Sequence, residues 1–361
     1  MNKVATSIGR NQRILVTGGC GFLGSNMAAA LARSGRDVVA FDNLSRAGTE
    51  VNARWLAQEH RRVTVEIGDI RERDTLRRLV EGVDAVMHLA AQVAVTTSMD
   101  DPITDFEINA RGTLDVLEAV RRYNPDAALI FASTNKVYGR LLDDADIVRS
   151  AGRYVPADAT RWSLGVSEDA PLDLHSPYGC SKGAADQYVR DYARVFDLRT
   201  VVLRMSCIYG PRQFGNEDQG WIAHFLLQAM RNSPITIYGD GYQVRDALFV
   251  GDAVDAWIKA LDHIDVARGR TFNLGGGPAN AVSLNDLLDL IADLRGRRPE
   301  CRFADWRPGD QPWYVSDVRT ISAALGWQPH TGLREGLRAL AQWLDSRTTR
   351  PAVLELQEAR A

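Results

Sequence analysis

The chain has few cysteines and no long hydrophobic segment. Its 361 residues include four cysteines, Cys20, Cys180, Cys207 and Cys301, and none belongs to a Cys-x-x-Cys pair. This spacing argues against a zinc site and a disulfide framework, so we expect no metal and a reducing, cytoplasmic location. No apolar run approaches the roughly 20 residues that cross a bilayer. The polar N-terminal segment lacks the apolar core of a signal peptide, so we expect no membrane partner.

The sequence also lacks an excess of positive charge. Lys and Arg total 43 and Asp and Glu total 46, which gives a formal net charge of -3. A nucleic-acid-binding domain usually has a basic excess, so we expect no nucleic-acid partner. Hydrophobic residues make up 45% and charged residues 25% of the chain, as is usual for a globular protein. The length allows one large α/β domain or two smaller ones.

A glycine-rich turn connects an apolar strand to an apolar helix near the start of the chain. Arg13–Thr17 (RILVT) has the pattern of a buried strand, and the turn that follows has Gly18, Gly21 and Gly24 at three-residue spacing. The first glycines permit a tight turn and close approach of the backbone to a pyrophosphate, and the last lets the helix pack close to the strand. The helix N-terminus favours the anion. This context indicates a dinucleotide-binding fingerprint.

An acidic residue ends the second strand. The predicted strand 37–41 runs into Asp42, about 20 residues after the glycines. A carboxylate there can accept hydrogen bonds from the adenine ribose hydroxyls and would repel a 2′-phosphate, so it favours NAD over NADP. Arg46 lies close behind it and weakens this discrimination.

Strand and helix patterns then alternate along the first half of the chain. Strands are predicted at Val63–Ile67, 85–89, 128–133 and 199–204, and helices at 71–80 and about 105–123. This alternation predicts an α/β fold with a Rossmann-type, doubly wound parallel sheet, whose ligand crevice lies at the carboxyl ends of the strands.

Two residues in this region allow more than one interpretation. Asp69 suits either a contact at the adenine edge or a helix N-cap. His88 ends the fourth strand, and we interpret it as a core histidine rather than a catalytic one.

The alternation becomes less regular after about residue 205. We therefore expect an NAD-binding Rossmann domain at 12–205 with an excursion at about 139–175. A smaller C-terminal substrate-binding α/β lobe should occupy 206–346, with some strands returning to the main sheet. In that lobe Trp221–Met230 has helical periodicity, whereas Ile235–Tyr238 has a strand pattern. An excursion of this size is more often functional or interfacial than idle.

The segment 175–182 (HSPYGCSK) carries the candidate catalytic pair. Tyr178 and Lys182 are four residues apart, so a helix places them on one face. A phenol has an unperturbed pKa of about 10, and a nearby ammonium lowers that pKa by favouring the phenolate. The pair can then take a proton from a hydroxyl while a hydride leaves the same carbon. For an isolated pair, a packed Tyr and a solvated Lys would be the better explanation.

These segments together resemble the extended short-chain dehydrogenase/reductase superfamily, in its nucleotide-sugar epimerase and dehydratase branch. The resemblance covers about residues 14–343. Besides the Tyr178/Lys182 pair, it rests on TGGCGFLGSN (17–26), FDNLSR (41–46), HLAAQ (88–92) and LRMSCIYGPRQF (203–214). STNKVYG (133–139), HSPYGCSKGAADQY (175–188) and QFGNEDQGW (213–221) are most similar to the CDP-paratose 2-epimerases, also called CDP-tyvelose epimerases. The long segment 139–175 also fits that family.

The resemblance implies a nucleotide-sugar epimerase that oxidises C2 of the sugar transiently with tightly bound NAD. The hydride then returns to the opposite face. Tyr178 would be the base, Lys182 its pKa-lowering partner, and Thr134 the hydroxyl that bonds the reacting group. The implied substrate is CDP-linked, of the CDP-paratose/CDP-tyvelose or CDP-glucose type. By analogy we expect a homodimer or homotetramer formed through helices of the sheet's outer layer.

One departure separates the chain from the 4,6-dehydratases of the branch. Those enzymes have an Asp-Glu pair after the Thr, whereas Asn135 and Lys136 occupy these positions here. Neither is a carboxylic acid, which argues against water elimination. An NDP-sugar 4-epimerase and a net NAD-dependent sugar dehydrogenase remain open, because the fold does not fix the reaction. A non-enzymatic NAD sensor is disfavoured because Tyr178, Lys182 and Thr134 are all present.

The resemblance and the local patterns together give two sets of candidate residues. The expected cofactor-binding residues are Gly18, Gly21, Phe22, Leu23, Gly24, Asp42, Asn43, Ser45, Arg46, Asp69, Ile70, Leu89, Ala90, Ala91, Gln92, Asn109, Ser133, Tyr178, Lys182, Met205, Ser206 and Ile208. The expected substrate-binding residues are Val93, Thr134, Asn135, Lys136, His175, Ser206, Gln219, Trp221, Tyr238, Gln243, Arg245 and Asp310.

Four candidates in the second half also have other interpretations. Arg245 suits a diphosphate, because its planar guanidinium matches phosphate oxygens, but a salt bridge with Asp246 or another acid would also explain it. Trp221 could stack on the ligand or lie in the core. Cys207 is interpreted as a packing residue rather than a nucleophile. The loop 307–310 (RPGD) resembles the one that binds ribose or pyrophosphate in relatives, although Pro-Gly alone indicates only a turn.

Overall fold

The computed structural model describes residues 12–307 and 309–348. The polar N-terminal segment and Pro308 of the 307–310 loop lie outside the described residues. The strands are β1 Arg13–Thr17, β2 Asp37–Asp42, β3 Val63–Ile67, β4 Ala85–His88, β5 Ala128–Thr134, β6 Ile147–Ser150, β7 Arg153–Pro156, β8 Arg199–Met205, β9 Cys207–Tyr209, β10 Ile235–Tyr238, β11 Val244–Phe249, β12 Thr271–Leu274, β13 Ala281–Ser283, β14 Cys301–Ala304 and β15 Trp313–Tyr314.

The α-helices alternate with the strands through most of the chain. They are α1 Phe22–Arg33, α2 Thr49–Glu59, α3 Arg73–Val80, α4 Val95–Asp100, α5 Pro102–Phe106, α6 Gly112–Tyr123, α7 Ser176–Phe196, α8 Trp221–Met230, α9 Val250–Asp262, α10 Ile264–Ala267, α11 Leu284–Arg295, α12 Arg319–Leu325 and α13 Leu333–Thr348. A π-helical turn spans Glu107–Arg111, and 3-10 turns span Asn135–Tyr138, Asp144–Asp146 and Pro278–Asn280. None of the helices in the described part of the chain is both long and apolar enough to span a membrane.

The main sheet is parallel and has the order β12-β8-β5-β4-β1-β2-β3. Its strand order reverses beside β1, which pairs with β2 on one side and β4 on the other. The central strands are apolar and buried on both faces, as in sheets covered by helices on both sides. The predicted Rossmann-type α/β fold is therefore confirmed, and the crevice beside β1 is where such sheets bind ligands.

Two hydrophobic layers cover the sheet. On one face Met27 of α1 and Trp257 of α9 pack over the strands, and on the other Val116 of α6 and Val189 of α7 do so. Burying side chains of this size contributes roughly 1.5–3 kcal/mol each. The layers hold the carboxyl ends of the strands, and the side chains that follow them, in fixed positions.

The helix predicted at about 105–123 is interrupted. It consists of α5, the π-helical turn Glu107–Arg111 and α6. The wider turn contains Asn109, whose amide group bonds the backbone of the loop after β4. Such π-turns are frequent at functional sites. Apolar periodicity does not reveal them, because one extra residue in a turn scarcely changes the pattern.

The second half of the chain forms a smaller group of elements. β11 pairs with β13, β15 and β9, and β10 pairs with β14. α8, α11 and α13 pack around this group through a separate apolar cluster that includes Phe225, Leu288 and Leu340. The segment 205–211 contains β9, because Cys207 lies opposite Ala247 of β11. β12 is part of the main sheet, where it pairs with β8.

The excursion at about 139–175 forms a β-hairpin and then returns along the second half of the chain. β6 and β7 pair antiparallel, and the N–H of Tyr154 donates to the carbonyl of Tyr242 at 2.7 Å. The N–H of Val166 donates to the carbonyl of Val315, also at 2.7 Å. These bonds attach the excursion to elements that lie more than 80 residues further along the sequence.

Candidate active site

A cavity of about 540 Å³ lies at the carboxyl ends of the main-sheet strands and continues into the second group of elements. All of the expected site residues line it except three, Gln92, Asn109 and His175. It is also lined by residues to which the sequence analysis assigned no role, namely Asn52, Thr96, Arg212, Phe214 and Glu217 among others. The cavity therefore joins the expected cofactor and substrate residues into one continuous site.

The glycine turn shapes one end of the cavity. Gly18 has φ 67°, and a Cβ there would lie 2.8 Å from the backbone nitrogen of Ala90. A Cβ on Gly24 would lie 2.0 Å from the carbonyl oxygen of Gly18. No side chain caps the N-terminus of α1 at Gly21, so its N-terminal dipole is available to an anion. The turn thus fits the pyrophosphate of a dinucleotide.

Asp42 lies where β2 ends in the cavity. Its carboxylate accepts hydrogen bonds from the N–H groups of Cys20 at 3.0 Å and Leu44 at 2.8 Å, which fix its orientation. Burial raises the pKa of Asp42, and these backbone bonds oppose the rise. A fixed carboxylate at this position suits the two hydroxyls of an adenine ribose. The residues present therefore fit NAD.

Asp69 borders the same end of the cavity. Its carboxylate accepts hydrogen bonds from the Arg71 side chain at 2.8 Å and from the Asn43 amide at 3.0 Å. The Arg71 bonds hold the pKa of Asp69 well below its usual range. The N-cap interpretation was wrong, because α3 begins at Arg73 and Glu72 occupies the cap position.

Asn109 and Gln92 lie outside the cavity lining and stabilise the loop after β4. Asn109 accepts from the N–H of Gln92 at 2.9 Å and donates to its carbonyl at 3.0 Å. It also donates to Asp105 and to Ser181, both buried. The Gln92 side chain donates to the carbonyl of Ala94 at 2.8 Å. Both residues fix the loop after β4, so the structure does not place them at the cavity wall as expected.

Neither His175 nor His88 lines the cavity. His175 occupies the N-cap position of α7, is exposed, and has its imidazole 2.9 Å from the carboxylate of Asp173. His88 is fully buried between the hydroxyls of Thr17 at 2.7 Å and Thr113 at 3.0 Å. Burial lowers the pKa of His88 to about 3, so it is neutral, as its interpretation as a core residue requires.

Tyr178, Lys182 and Thr134 meet inside the cavity. All three side chains line the cavity wall. The N–H of Tyr178 donates to the Ser98 hydroxyl at 3.1 Å, which fixes the first turn of α7 against α4. The Lys182 ammonium lies 4.2 Å from the centre of the Phe131 ring. β5 delivers Thr134 and α7 delivers the other two side chains.

Burial opposes the expected effect on the phenol. It raises the pKa of Tyr178 to about 12 and lowers the pKa of Lys182 to about 7. The rise comes from burial and does not test the effect of Lys182 itself, so the expectation that Lys182 lowers the pKa of Tyr178 stays a prediction. Both groups are buried, and the loss of hydration disfavours the charged form of each.

Lys136, Arg245 and Asp310 form a charged cluster on the far wall. The Arg245 guanidinium donates to the Asp310 carboxylate at 2.6 Å, and the Lys136 ammonium lies 3.5 Å from the same oxygen. Burial tends to raise the pKa of Asp310, but the two cations hold it below its usual value. The salt-bridge alternative for Arg245 thus applies with Asp310 and not Asp246. Two cations facing one carboxylate leave a net positive charge at the cavity wall.

Asn135 is also fixed within this wall. Its amide donates to the Gln311 side chain at 3.2 Å, and the Thr134 hydroxyl donates to its oxygen at 3.4 Å. Lys136 donates to the carbonyl of Gly309 at 3.1 Å. The two positions that carry an Asp-Glu pair in 4,6-dehydratases thus hold neutral and cationic groups bound to the 309–311 loop.

Ser206 and Cys207 line the cavity between the two halves. The Ser206 hydroxyl donates to the Asp246 carboxylate, so its proton is already used within the protein. The Cys207 sulfur accepts from the Trp221 indole at 3.4 Å, and burial raises the pKa of the thiol. Cys207 is thus a neutral packing residue, while Trp221 lines the cavity and packs on Phe225.

The remaining end of the cavity is aromatic and polar. The Arg307 guanidinium lies 3.8 Å from the centre of the Tyr238 ring, and the Tyr238 hydroxyl donates to Glu217 at 3.1 Å. The Gln243 amide donates to the carbonyl of Tyr238 at 2.6 Å. Gln219 also lines this region. An aromatic ring beside amide and cationic groups suits a nucleotide base.

The fold and the cavity define a Rossmann-type dinucleotide-binding protein. The NAD dependent epimerase/dehydratase family model matches residues 14–275. The chain belongs to this family, and NAD is its cofactor. The resemblance recognised in the sequence is thereby confirmed.

Curated relatives and solved structures agree with this assignment. The chain is 44% identical to the CDP-paratose 2-epimerase of Salmonella typhi, over 92% of this chain and 99% of the relative. It is 34% identical to the dTDP-glucose 4,6-dehydratase of Neisseria gonorrhoeae, over 94% and 97% respectively. A UDP-glucuronic acid 4-epimerase from Bacillus cereus, in complex with UDP-glucuronic acid and NAD, superposes with a TM-score of 0.80. That match has 28% identity and covers 93% of this chain and 99% of the other.

Proposed function

We propose that the protein is a CDP-sugar 2-epimerase that oxidises C2 transiently and reduces it from the opposite face. The observation that carries this proposal is the 44% identity with a CDP-paratose 2-epimerase over nearly the whole length of both chains. The site agrees with it, because Tyr178, Thr134 and Lys182 lie together in the cavity. Asn135 and Lys136 offer no carboxylic acid for the elimination that a dehydratase performs.

Each side chain of the site has a separate role in the proposed reaction. NAD, when bound, supplies the hydride acceptor, and the positive charge of its oxidised ring favours the phenolate of Tyr178. Tyr178 takes the proton of the C2 hydroxyl, and Thr134, which lines the same cavity, forms a hydrogen bond with that hydroxyl. Lys182 adds positive charge when it is protonated. Gly18, Gly21 and Gly24 hold the pyrophosphate of the cofactor, and Asp42 holds its adenine ribose.

The opposite wall binds the nucleotide part of the substrate. Arg245 and Lys136 supply positive charge for the diphosphate, and Asp310 holds both in place. Tyr238 and Gln243 border the space for the base. Trp221 and Gln219 lie where they can contact the sugar or base. The substrate proposed is CDP-paratose or the related CDP-tyvelose or CDP-glucose.

We propose that the chain has two functional regions and that two copies of it form a dimer. Residues 12–205 bind NAD and residues 206–346 mainly bind substrate, with β12 returning to the main sheet. A second copy is proposed to cover the outer faces of α5 and α7, where Ile103 is 75% and Val195 57% exposed. This makes a homodimer, and a homotetramer is the alternative. The cytoplasm is the proposed location, supported by the four free cysteines.

The test is a proton NMR time course in heavy water with CDP-paratose and no added NAD. The expected product is inverted at C2 and retains protium there, because the hydride returns from a bound cofactor. Deuterium at C2 would contradict this mechanism, since it indicates exchange through an enol. If CDP-paratose and CDP-glucose are unchanged while UDP-glucuronic acid is inverted at C4, the protein is a 4-epimerase. Net accumulation of NADH in a parallel reaction with added NAD would indicate a sugar dehydrogenase.

A further inference from the structure

A short segment after β9 crosses from the second half of the chain to the cofactor end of the cavity. Segment 211–214 contributes Arg212, Gln213 and Phe214 to the cavity wall. The carbonyl of Pro211 accepts from the Asn26 amide of α1 at 3.0 Å. The carbonyl of Arg212 accepts from the Asn52 amide of α2 at 3.4 Å. Two helices that flank the glycine turn therefore hold this segment by its backbone.

Asn52 connects the segment to the glycine turn itself. The same amide nitrogen donates to the carbonyl of Cys20 at 3.1 Å, and Asn52 is 1% exposed. Because both partners are carbonyls, the nitrogen of the amide must face them and its oxygen must point elsewhere. That oxygen is buried, and no partner for it occurs among residues 12–307 and 309–348. Asn52 lines the cavity, so a ligand donor can satisfy it.

Gln213 repeats this arrangement on the segment itself. Its amide nitrogen donates to the carbonyl of Ile208 at 3.2 Å, and the residue is 8% exposed. Its oxygen is buried and has no partner in the described part of the chain. A buried acceptor without a donor is unfavourable, so both amide oxygens favour a ligand that carries hydroxyl or amine donors. The two riboses, the nicotinamide carboxamide and the adenine amino group of NAD have such donors.

Phe214 closes the segment over the loop that follows Asp42. A Cβ on Gly48 would lie 2.3 Å from the Phe214 ring, so the ring rests directly on that glycine. On its other side the ring meets Trp343 edge to face at 5.5 Å and the Arg347 guanidinium at 4.4 Å. Phe214 is therefore held between the loop at the adenine-ribose end and α13.

The backbone of the segment is held in an unusual conformation. Arg212 has a backbone φ of 72°, which lies in a region that residues other than glycine rarely adopt. Its guanidinium lies 3.7 Å from the centre of the Trp55 ring on α2. Residues kept in such conformations cluster at ligand clamps, because the surrounding contacts must hold them there.

We propose that segment 211–214 is a part of the cofactor site that closes over NAD and keeps it bound between turnovers. The segment bonds α1 and α2 and covers the 42–48 loop, so NAD cannot leave this end of the cavity without separating these contacts. This inference rests on the proposed function, because an epimerase ends each cycle with its cofactor in the starting redox state and need not exchange it. Phe214 and Asn26 act in it as positioning residues.

The first test compares Phe214→Ala with a matched aromatic control, Phe303→Ala. Phe303 is 65% exposed on β14 and does not line the cavity. Each purified protein is passed through gel filtration, and the NAD that remains is extracted and quantified; its release is also timed after dilution. We expect Phe214→Ala to release NAD at least tenfold faster than wild type and to regain turnover with added NAD. Phe303→Ala should behave as wild type. Equal release by both variants and wild type would overturn the proposal.

Asn26→Ala provides a second test that does not depend on the fold of the Phe214 variant. Asn26 does not line the cavity, and its replacement removes one bond to the segment at a position where alanine favours the helix. We expect severalfold faster NAD release with an unchanged circular dichroism spectrum. Unchanged release would contradict the role of the segment. NAD release is measured without a sugar, so its outcome is separate from the NMR test of the reaction.

Discussion

The guanidinium of Arg204 and the carboxylate of Asp186 form a two-bond ion pair inside the protein. The bonds measure 2.9 and 3.0 Å, and the side chains are 2% and 0% exposed. Ser133 donates to the same carboxylate at 2.7 Å, and Arg204 also donates to the Tyr138 hydroxyl at 3.0 Å. The pair joins β8 to α7 directly beneath the turn that carries Lys182.

Breaking this pair should destabilise the protein strongly. We expect Asp186→Asn to lower the free energy of unfolding by about 3–5 kcal/mol, because it leaves a buried guanidinium without its counter-charge. Urea unfolding measures the change. The control is Asp191→Asn on the same helix, which breaks the exposed pair with Arg194 and should cost at most about 1 kcal/mol. Similar losses in both variants would show that burial does not matter here.

Removing the phenol oxygen of Tyr178 should slow the reaction strongly without disturbing the fold. In Tyr178→Phe the ring and its packing remain, but the group that takes the proton is lost. We expect kcat to fall by about 10²–10⁴, the usual contribution of a positioned acid–base group. NAD content and the unfolding midpoint should stay close to wild type. Turnover at the wild-type rate would remove Tyr178 from the mechanism.

The buried lysine should make stability depend on pH. The pKa of Lys182 is lowered by burial to about 7, whereas in the unfolded chain it should be about 10.4. Between these values the unfolded chain binds a proton that the folded chain lacks, so the free energy of unfolding rises with pH. From pH 7 to 9 the rise should be about 2–3 kcal/mol for this group. It should be absent in Lys182→Met, as urea unfolding of the two NAD-stripped proteins can show. Equal pH dependence would refute the lowered pKa.

Arg245 should govern affinity for the nucleotide. We expect Arg245→Met to weaken CDP binding by about 10- to 100-fold, since hydrogen bonds to charged groups contribute roughly 1.5–3 kcal/mol. Calorimetric titration with CDP measures the effect. Arg153→Met is the matched control, because Arg153 pairs with Asp286 and does not line the cavity. Equal affinity in the two variants would place the diphosphate elsewhere.

The sequence predicted the parallel sheet and most of the cavity wall, because glycine spacing and strand ends fix where side chains are delivered. Asp42 and Thr134 follow directly from that rule. It could not predict that Asn109 would stabilise a loop from behind, since the π-turn leaves no periodic signal. The raised pKa of Tyr178 could not be predicted from the sequence either. The spacing of Tyr178 and Lys182 shows that they lie close together, but it does not show how deeply they are buried. Asn52 and Phe214 were missed because long-range contacts alone bring them to the site.

The position of β12 beside β8 has a consequence for biosynthesis. β8 ends at Met205, but the strand that covers its edge begins at Thr271, so ribosomes must add over sixty residues before that edge is paired. An apolar, unpaired strand edge is prone to associate with other chains. We expect nascent chains paused between these strands to depend on chaperones, and truncation after residue 205 to give insoluble protein. The order of synthesis therefore places an aggregation-prone interval in the middle of translation.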